Sequence, residues 1–152
     1  VTYSGTIAAA MEGTSLGIKS IAMSQVMAGN ESGNTFAVAA SHGADVVKKL
    51  LDVDFGAGIL VNVNFPDCRV ADVAGIEITQ QGKRDQNYMV LDERKDNRGE
   101  NYYWLGFARD RGVPPRGTDL EAVFSRKISV TPLMMNLTAQ SLMGRLHEAF
   151  RP

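Results

Sequence analysis

The sharpest candidate for chemistry lies at the start of the chain. Tyr3-Ser4-Gly5-Thr6 precedes a helix-forming stretch, Ile7 to Met11. A small-residue turn at a helix N-terminus exposes backbone N–H groups, and the helix dipole adds positive potential. Gly5 carries no Cβ to block a close approach. The hydroxyls of Ser4 and Thr6 can donate to phosphate oxygens. The pattern suits a phosphate cradle, although a plain helix cap at Ser4 or Thr6 is the commoner meaning of such spacing.

The remaining candidates are weaker. In Val61-Asn62-Val63-Asn64-Phe65-Pro66, two asparagines sit inside an apolar strand and need hydrogen-bond partners if buried. They can touch a ligand, but bonding to neighbouring backbone is the ordinary expectation. Lys83 and Arg84 end a strand and can meet a phosphate or a carboxylate, with a solvated turn as the default. His42 and His147 fall on separate expected helices, with no ligand spacing to each other or to Cys68. His42 reads as a helix surface residue. No base is evident that would activate Cys68. Paired carboxylates at a strand end are not evident. The residues alone offer a phosphate cradle and no catalyst.

The elements that must position these groups alternate along the chain. A short helix through Ile7–Met11 stops near Gly13, and Ile18–Ser24 reads as a buried strand. A polar loop, Gly29–Gly33, leads into an amphipathic helix from Asn34, with Phe36, Ala40, Val47, Leu50 and Leu51 on or near one face. Gly58–Phe65 alternates clearly and predicts a strand ended by Pro66. Gly75–Gln80 gives a shorter one. Gly82–Gly106 has two aromatic, β-prone arms around a charged tip, Asp92–Glu100, and predicts a long hairpin. Thr118-Asp119-Leu120-Glu121 fits a capping box. Lys127–Thr131 reads as a last strand closed by Pro132, and a final helix from about Thr138 carries Leu142, Leu146 and Phe150 on one face. The expectation is an α/β fold with a largely parallel sheet and a protruding arm. Such sheets place ligands at the C-terminal ends of their strands.

Composition bounds the function. The 152 residues suffice for one domain with a core. Sixteen Lys and Arg against seventeen Asp and Glu argue against a protein that coats nucleic acid, which should be clearly basic. One cysteine excludes an intrachain disulfide and suits a reducing compartment. No apolar run approaches a membrane span. Val1-Thr2-Tyr3 has neither an initiator Met nor a signal-peptide layout. The start reads like the middle of a protein, with a preceding segment expected.

Several motifs, in order and spanning nearly the whole chain, together resemble one family. Tyr3-Ser4-Gly5-Thr6-Ile7-Ala8-Ala9-Ala10-Met11-Glu12-Gly13 is similar to a Tyr-Ser-Gly-Thr-Val-(Ala/Gly)-Ala-Ala-Met-Glu-Gly segment of the stationary-phase survival protein SurE family. Asn62 to Pro66 resembles its Asn-Val-Asn-(Val/Phe/Ile)-Pro strand. Gly117-Thr118-Asp119, Ser129-Val130-Thr131-Pro132-Leu133 and Asn136-Leu137-Thr138-Ala139 resemble later elements. The resemblance implies a Rossmann-like α/β fold with a C-terminal extension, here 127–152, and a C-terminal helix. It implies a 5′(3′)-nucleotidase releasing phosphate from nucleoside monophosphates with Mg²⁺ or Mn²⁺, and also acting on short polyphosphate. It implies a cytoplasmic homodimer or homotetramer, assembled through the hairpin, 82–106, and an exchanged C-terminal segment. Neither a nucleic-acid polymer nor a membrane is an expected partner.

The same resemblance implies what this chain lacks. The family's metal ligands are an Asp-Asp pair near the N-terminus, a later Ser, and an Asn just before the Tyr-Ser-Gly-Thr turn. None has a counterpart here, so the chain corresponds to the C-terminal portion of one domain. Only Ser4, Gly5 and Thr6 carry over, as residues lining the phosphate side. The portion alone is expected to be inactive, and to aggregate or need a partner. The chain also departs from the pattern. Arg126-Lys127 stands where many members have Gly-Tyr, and Asn136 and Gln140 stand where many have Asp and His. Two rivals remain: an oligomerising module without catalysis, and a Rossmann-type domain for another phosphate ligand, which would need a glycine-rich fingerprint that is not visible.

Overall fold

The computed structural model describes residues 4–27, 36–83, 89–107 and 113–151. Four strands form one mixed sheet in the order β1 (Ile21–Gln25), β2 (Ile59–Phe65), β6 (Ile128–Met134), β3 (Ile76–Ile78). β1 and β2 run parallel, as do β3 and β6, while β2 and β6 are antiparallel. The sheet is therefore less parallel than the alternation of elements suggested. β6 enters from the far side and occupies an inner position, although in sequence it stands with the C-terminal extension.

Each face of the sheet has its own core. On one, α1 (Gly5–Ser15) packs Ile7 and Ala10 against Ala22 and Leu60. On the other, α2 (Ala37–Leu51) packs Val38 and Val46 against Val61, Val63, Phe65, Cys68, Ile128 and Val130. The buried stripe of α2 differs from the expected one: Phe36, Ala40 and Leu51 are exposed, while Val38, Gly43 and Val46 face the sheet. Spacing alone left two neighbouring faces of similar apolarity, and contact with β2 chose between them. Lys19, in the loop before β1, donates to the carbonyls of Leu51 at 2.6 Å and Val53 at 2.7 Å. It thereby satisfies orphan groups at the C-terminus of α2.

Two helices end in the same backbone motif with different residues. After α1, Gly17 adopts φ 75°. Its N–H reaches the Thr14 carbonyl, and the Ile18 N–H reaches that of Gly13. After α3 (Asp119–Phe124), the bonds repeat from Arg126 to Val123 and from Lys127 to Ala122, but the left-handed residue is Arg126, at φ 59°. An arginine there bears a steric cost that glycine avoids. This is where the resemblance points to Gly in many family members.

Pro132 lies within β6 instead of closing it. β3 pairs with β6 only as far as Val130, so at Pro132 the outer side of β6 has no strand partner and loses no ladder bond. The expected hairpin is present as a separate two-stranded sheet, β4 (Met89–Lys95) and β5 (Asn101–Phe107), and its turn is shorter than the charged run suggested. The final helix, α4 (Gln140–Ala149), buries none of its residues.

Candidate functional site

Ser4 is the N-cap of α1, and its Oγ accepts from the Ile7 N–H at 3.3 Å. The hydroxyl proton remains available to donate, so capping and phosphate contact are compatible. Gly5 and Thr6 are exposed at the first two helical positions, where N–H groups have no intrahelical acceptor. No carboxylate lies in the first turn to neutralise the dipole. A Cβ added at Gly5 would meet nothing within 4 Å. There is room at Gly5 among the described residues, and the three residues carried by the turn motif lie together.

The height of this turn over the sheet follows from helix geometry. At the other end of α1, Gly13 approaches Ser20 so closely that a Cβ would lie 2.5 Å from Ser20 Oγ. Ser4 stands nine residues earlier, about 13 Å along a helix rising ~1.5 Å per residue. That equals about four strand residues at ~3.3 Å each. Counted from Ser20, it brings Ser4 level with Ser24, at the C-terminal end of β1. The register sets Asn64 beside Ser24, and Ser129 beside Asn64.

A polar band crosses the sheet at this end, on the face covered by α1. Alternation puts Ser24, Asn62, Asn64, Ser129 and Thr131 on the same face as Ala22 and Leu60. The far half of the band is closed on itself. Thr79 Oγ1 lies 2.8 Å from Ser129 Oγ and 2.7 Å from Thr131 Oγ1, and all three side chains are buried. The near half is different. Among the described residues, the side chains of Asn62, Asn64 and Ser24 have no hydrogen-bond partner. The expectation that the asparagines would bond neighbouring backbone is not met among the described residues. The hydroxyl trio was not singled out in sequence; the Ser-x-Thr alternation of β6 was its only local signal.

The other candidates separate. Lys83 is exposed and Arg84 lies outside the described residues. Cys68 is buried in the α2-side core. His42 is not a surface residue: its Nε2 is shut off from solvent without a partner, as is the Nε2 of Gln25, whose Oε1 accepts from the Ala39 N–H at 2.9 Å. Lys127 pairs with Glu77 at 2.8 Å, and that carboxylate holds the ammonium above the ordinary lysine range. Thr118 caps α3, accepting from the Glu121 N–H, and Asp119 Oδ1 accepts from the Gly82 N–H at 2.8 Å. Together with the Gln80–Thr118 bridge, this ties the two chain ends from which the hairpin segment leaves. Among the described residues, no group of three or more His, Cys, Asp or Glu could hold a metal ion. None of their helices is long and apolar enough to cross a membrane.

A helix packed on each face of a mixed sheet whose first two strands run parallel defines an α/β domain of the Rossmann-like class. The family model described as Survival protein SurE matches residues 1–88. The 5′-nucleotidase SurE of Methylorubrum extorquens (strain PA1) is 51% identical over 152 residues, covering 99% of this chain and 60% of the relative. The 5′-nucleotidase SurE of Methylobacterium radiotolerans is 52% identical over 151 residues, covering 99% and 59%. The crystal structure of the SurE protein from Aquifex aeolicus matches with a TM-score of 0.78 at 36% identity, over 99% of this chain and 59% of that one. The chain belongs to the SurE family. It spans about 60% of the length of the curated relatives it matches.

Proposed function

We propose that this chain carries the phosphate side of a metal-dependent phosphohydrolase that releases phosphate from nucleoside 5′(3′)-monophosphates, with short polyphosphate as a second substrate. The observation that carries the reading is the open N-terminus of α1 over the C-terminal ends of β1 and β2, in a family whose curated members bear the name 5′-nucleotidase. The N–H groups of Gly5 and Thr6 and the hydroxyls of Ser4 and Thr6 hold the phosphoryl oxygens. Because they are fixed before the substrate arrives, they stabilise charge as it builds without reorganising. A divalent ion, Mg or Mn, supplies Lewis-acid chemistry when bound. The described residues do not fit as its ligand set, so no step through it is assigned to them.

The test is phosphate release from a panel of nucleoside monophosphates with Mn²⁺ or Mg²⁺, by this chain and by a form extended upstream to the length of the relatives. Activity in the extended form alone is the expected result; activity in neither sinks the reading. The Cβ of Gly5→Val meets no described atom within 4 Å, so the variant should fold while weakening inorganic phosphate binding in the extended form. Unchanged phosphate affinity in that variant argues against the cradle.

The assembly proposed is a homodimer or homotetramer formed in the cytoplasm through the hairpin and α4. Tyr103, Trp104 and Leu105 on β5, and Leu142, Leu146 and Phe150 at α4, are exposed apolar side chains that a second copy would cover. These surfaces also favour a second reading, a non-catalytic oligomerising module. It predicts a stable oligomer with no phosphate affinity.

A further inference from the structure

The near half of the polar band has no use in anything described above. Asn62 is 7% exposed and Asn64 half-buried, and neither amide has a partner among the described residues. Burying an amide without a partner costs free energy, about 1–3 kcal/mol on mutational scales. The arrangement does not meet this need internally, as it does with Thr79, Ser129 and Thr131 across the same sheet. The Asn62 amide is not among the atoms sealed from solvent, although the residue as a whole is mostly buried. Ser24, beside Asn64 in register, is a third unpaired group on this face.

We infer that Ser24, Asn62 and Asn64 form a neutral subsite that takes the sugar hydroxyls of the nucleotide, next to the phosphate held by α1. This rests on the phosphohydrolase reading above. Two features select the sugar. The first is charge: none of the three side chains is ionisable in this range, so they suit a neutral group and not a second phosphate. Each amide offers both donors and an acceptor, and a hydroxyl both donates and accepts, so one amide can satisfy one hydroxyl in both senses. The second is position. Asn64 pairs with Ser24, at the strand end that the helix-rise count brings near Ser4, and Asn62 lies one strand repeat deeper on the same face. The sugar is the part of a nucleotide bonded directly to its phosphate, so it falls beside the cradle while the base lies beyond. Asn64 and Ser24 meet the hydroxyl nearer the phosphate, and Asn62 meets its neighbour.

A site built to hydrogen-bond a hydroxyl discriminates strongly against a ligand that lacks it, because its own groups are then left unpaired. The subsite therefore sets the preference for ribose over deoxyribose monophosphates. The test uses Asn64→Ala and Asn62→Ala in the extended form, with AMP, 2′-deoxy-AMP and inorganic phosphate as probes. Each substitution should raise KM for AMP about three- to tenfold, the worth of one neutral hydrogen bond. Inhibition by inorganic phosphate should be unchanged. Wild type should prefer AMP to 2′-deoxy-AMP, and at least one variant should lose that preference. Asn64→Ser, which supplies a hydroxyl, should recover part of it. Equal losses for AMP and phosphate, or an unaltered sugar preference in both variants, overturns the inference and leaves the phosphohydrolase standing. Absence of hydrolysis in wild type overturns both. Thermal melts of each variant separate a lost contact from a lost fold.

Discussion

The two halves of the polar band, on one face of one sheet, are built to different ends. Across β6 and the end of β3, three hydroxyls spend their hydrogen bonds on each other, and the result is a sealed and rigid joint. Across β1 and β2, the Asn62 and Asn64 amides and the Ser24 hydroxyl have no partner among the described residues, and Asn64 and Ser24 are only half-buried. Polarity alone does not distinguish them. What differs is whether the bonds are closed, which in one case stabilises the fold and in the other leaves free energy for a ligand to recover.

The largest expected effect breaks the closed half. Thr79→Val keeps the shape but removes the hub hydroxyl, leaving Ser129 and Thr131 to each other at 3.3 Å. Chemical denaturation should show a loss of about 1–3 kcal/mol. The converse change in the open half should have the opposite sign. Asn62→Leu removes an unpaired buried amide, and unfolding should become harder by roughly 1 kcal/mol while AMP affinity falls. A loss of stability there would mean that the amide has an internal partner.

A smaller gain tests the entry to the closed half. Arg126→Gly relieves the left-handed arginine that leads into β6 and should add about 0.5–1 kcal/mol, less the extra freedom glycine has when unfolded. A loss on melting would show that the Arg126 side chain contributes more than its backbone costs. Smallest is the pH response of the Lys127–Glu77 pair that borders this half. The lysine is raised above its ordinary 10.5, so its contribution is complete below that value. It fades as pH rises through the raised one. Replacing Lys127 with Met should lower stability slightly across the neutral range and abolish the alkaline decline that the pair causes.

Much of this was readable from the chain. Strict alternation in Ile59–Phe65 specifies both the strand and which residues share a face, because the side-chain period of a strand is two. Thr118 with Glu121 announces a helix start through groups only three residues apart. The Ser4-Gly5-Thr6 turn is likewise local, since a cap is made by its own neighbours. The α2 stripe was misread by about one residue, with Val38 and Val46 in place of Phe36 and Ala40, because periodicity fixes a helix but not its rotation when adjacent faces are similar. His42 moved indoors for the same reason.

The sequence by itself determined the elements, their caps and the family motifs, since each depends on residues within a few positions of one another. Only the tertiary structure decided that Thr79 would meet Ser129, 50 residues away, and that Asn62 and Asn64 would find no partner among the described residues. Strand order and register fix which side chains lie opposite, and these are properties of the assembled sheet. An asparagine in an apolar strand announces a need for a hydrogen bond; whether the fold supplies it or leaves it for a ligand depends on what the sheet brings alongside.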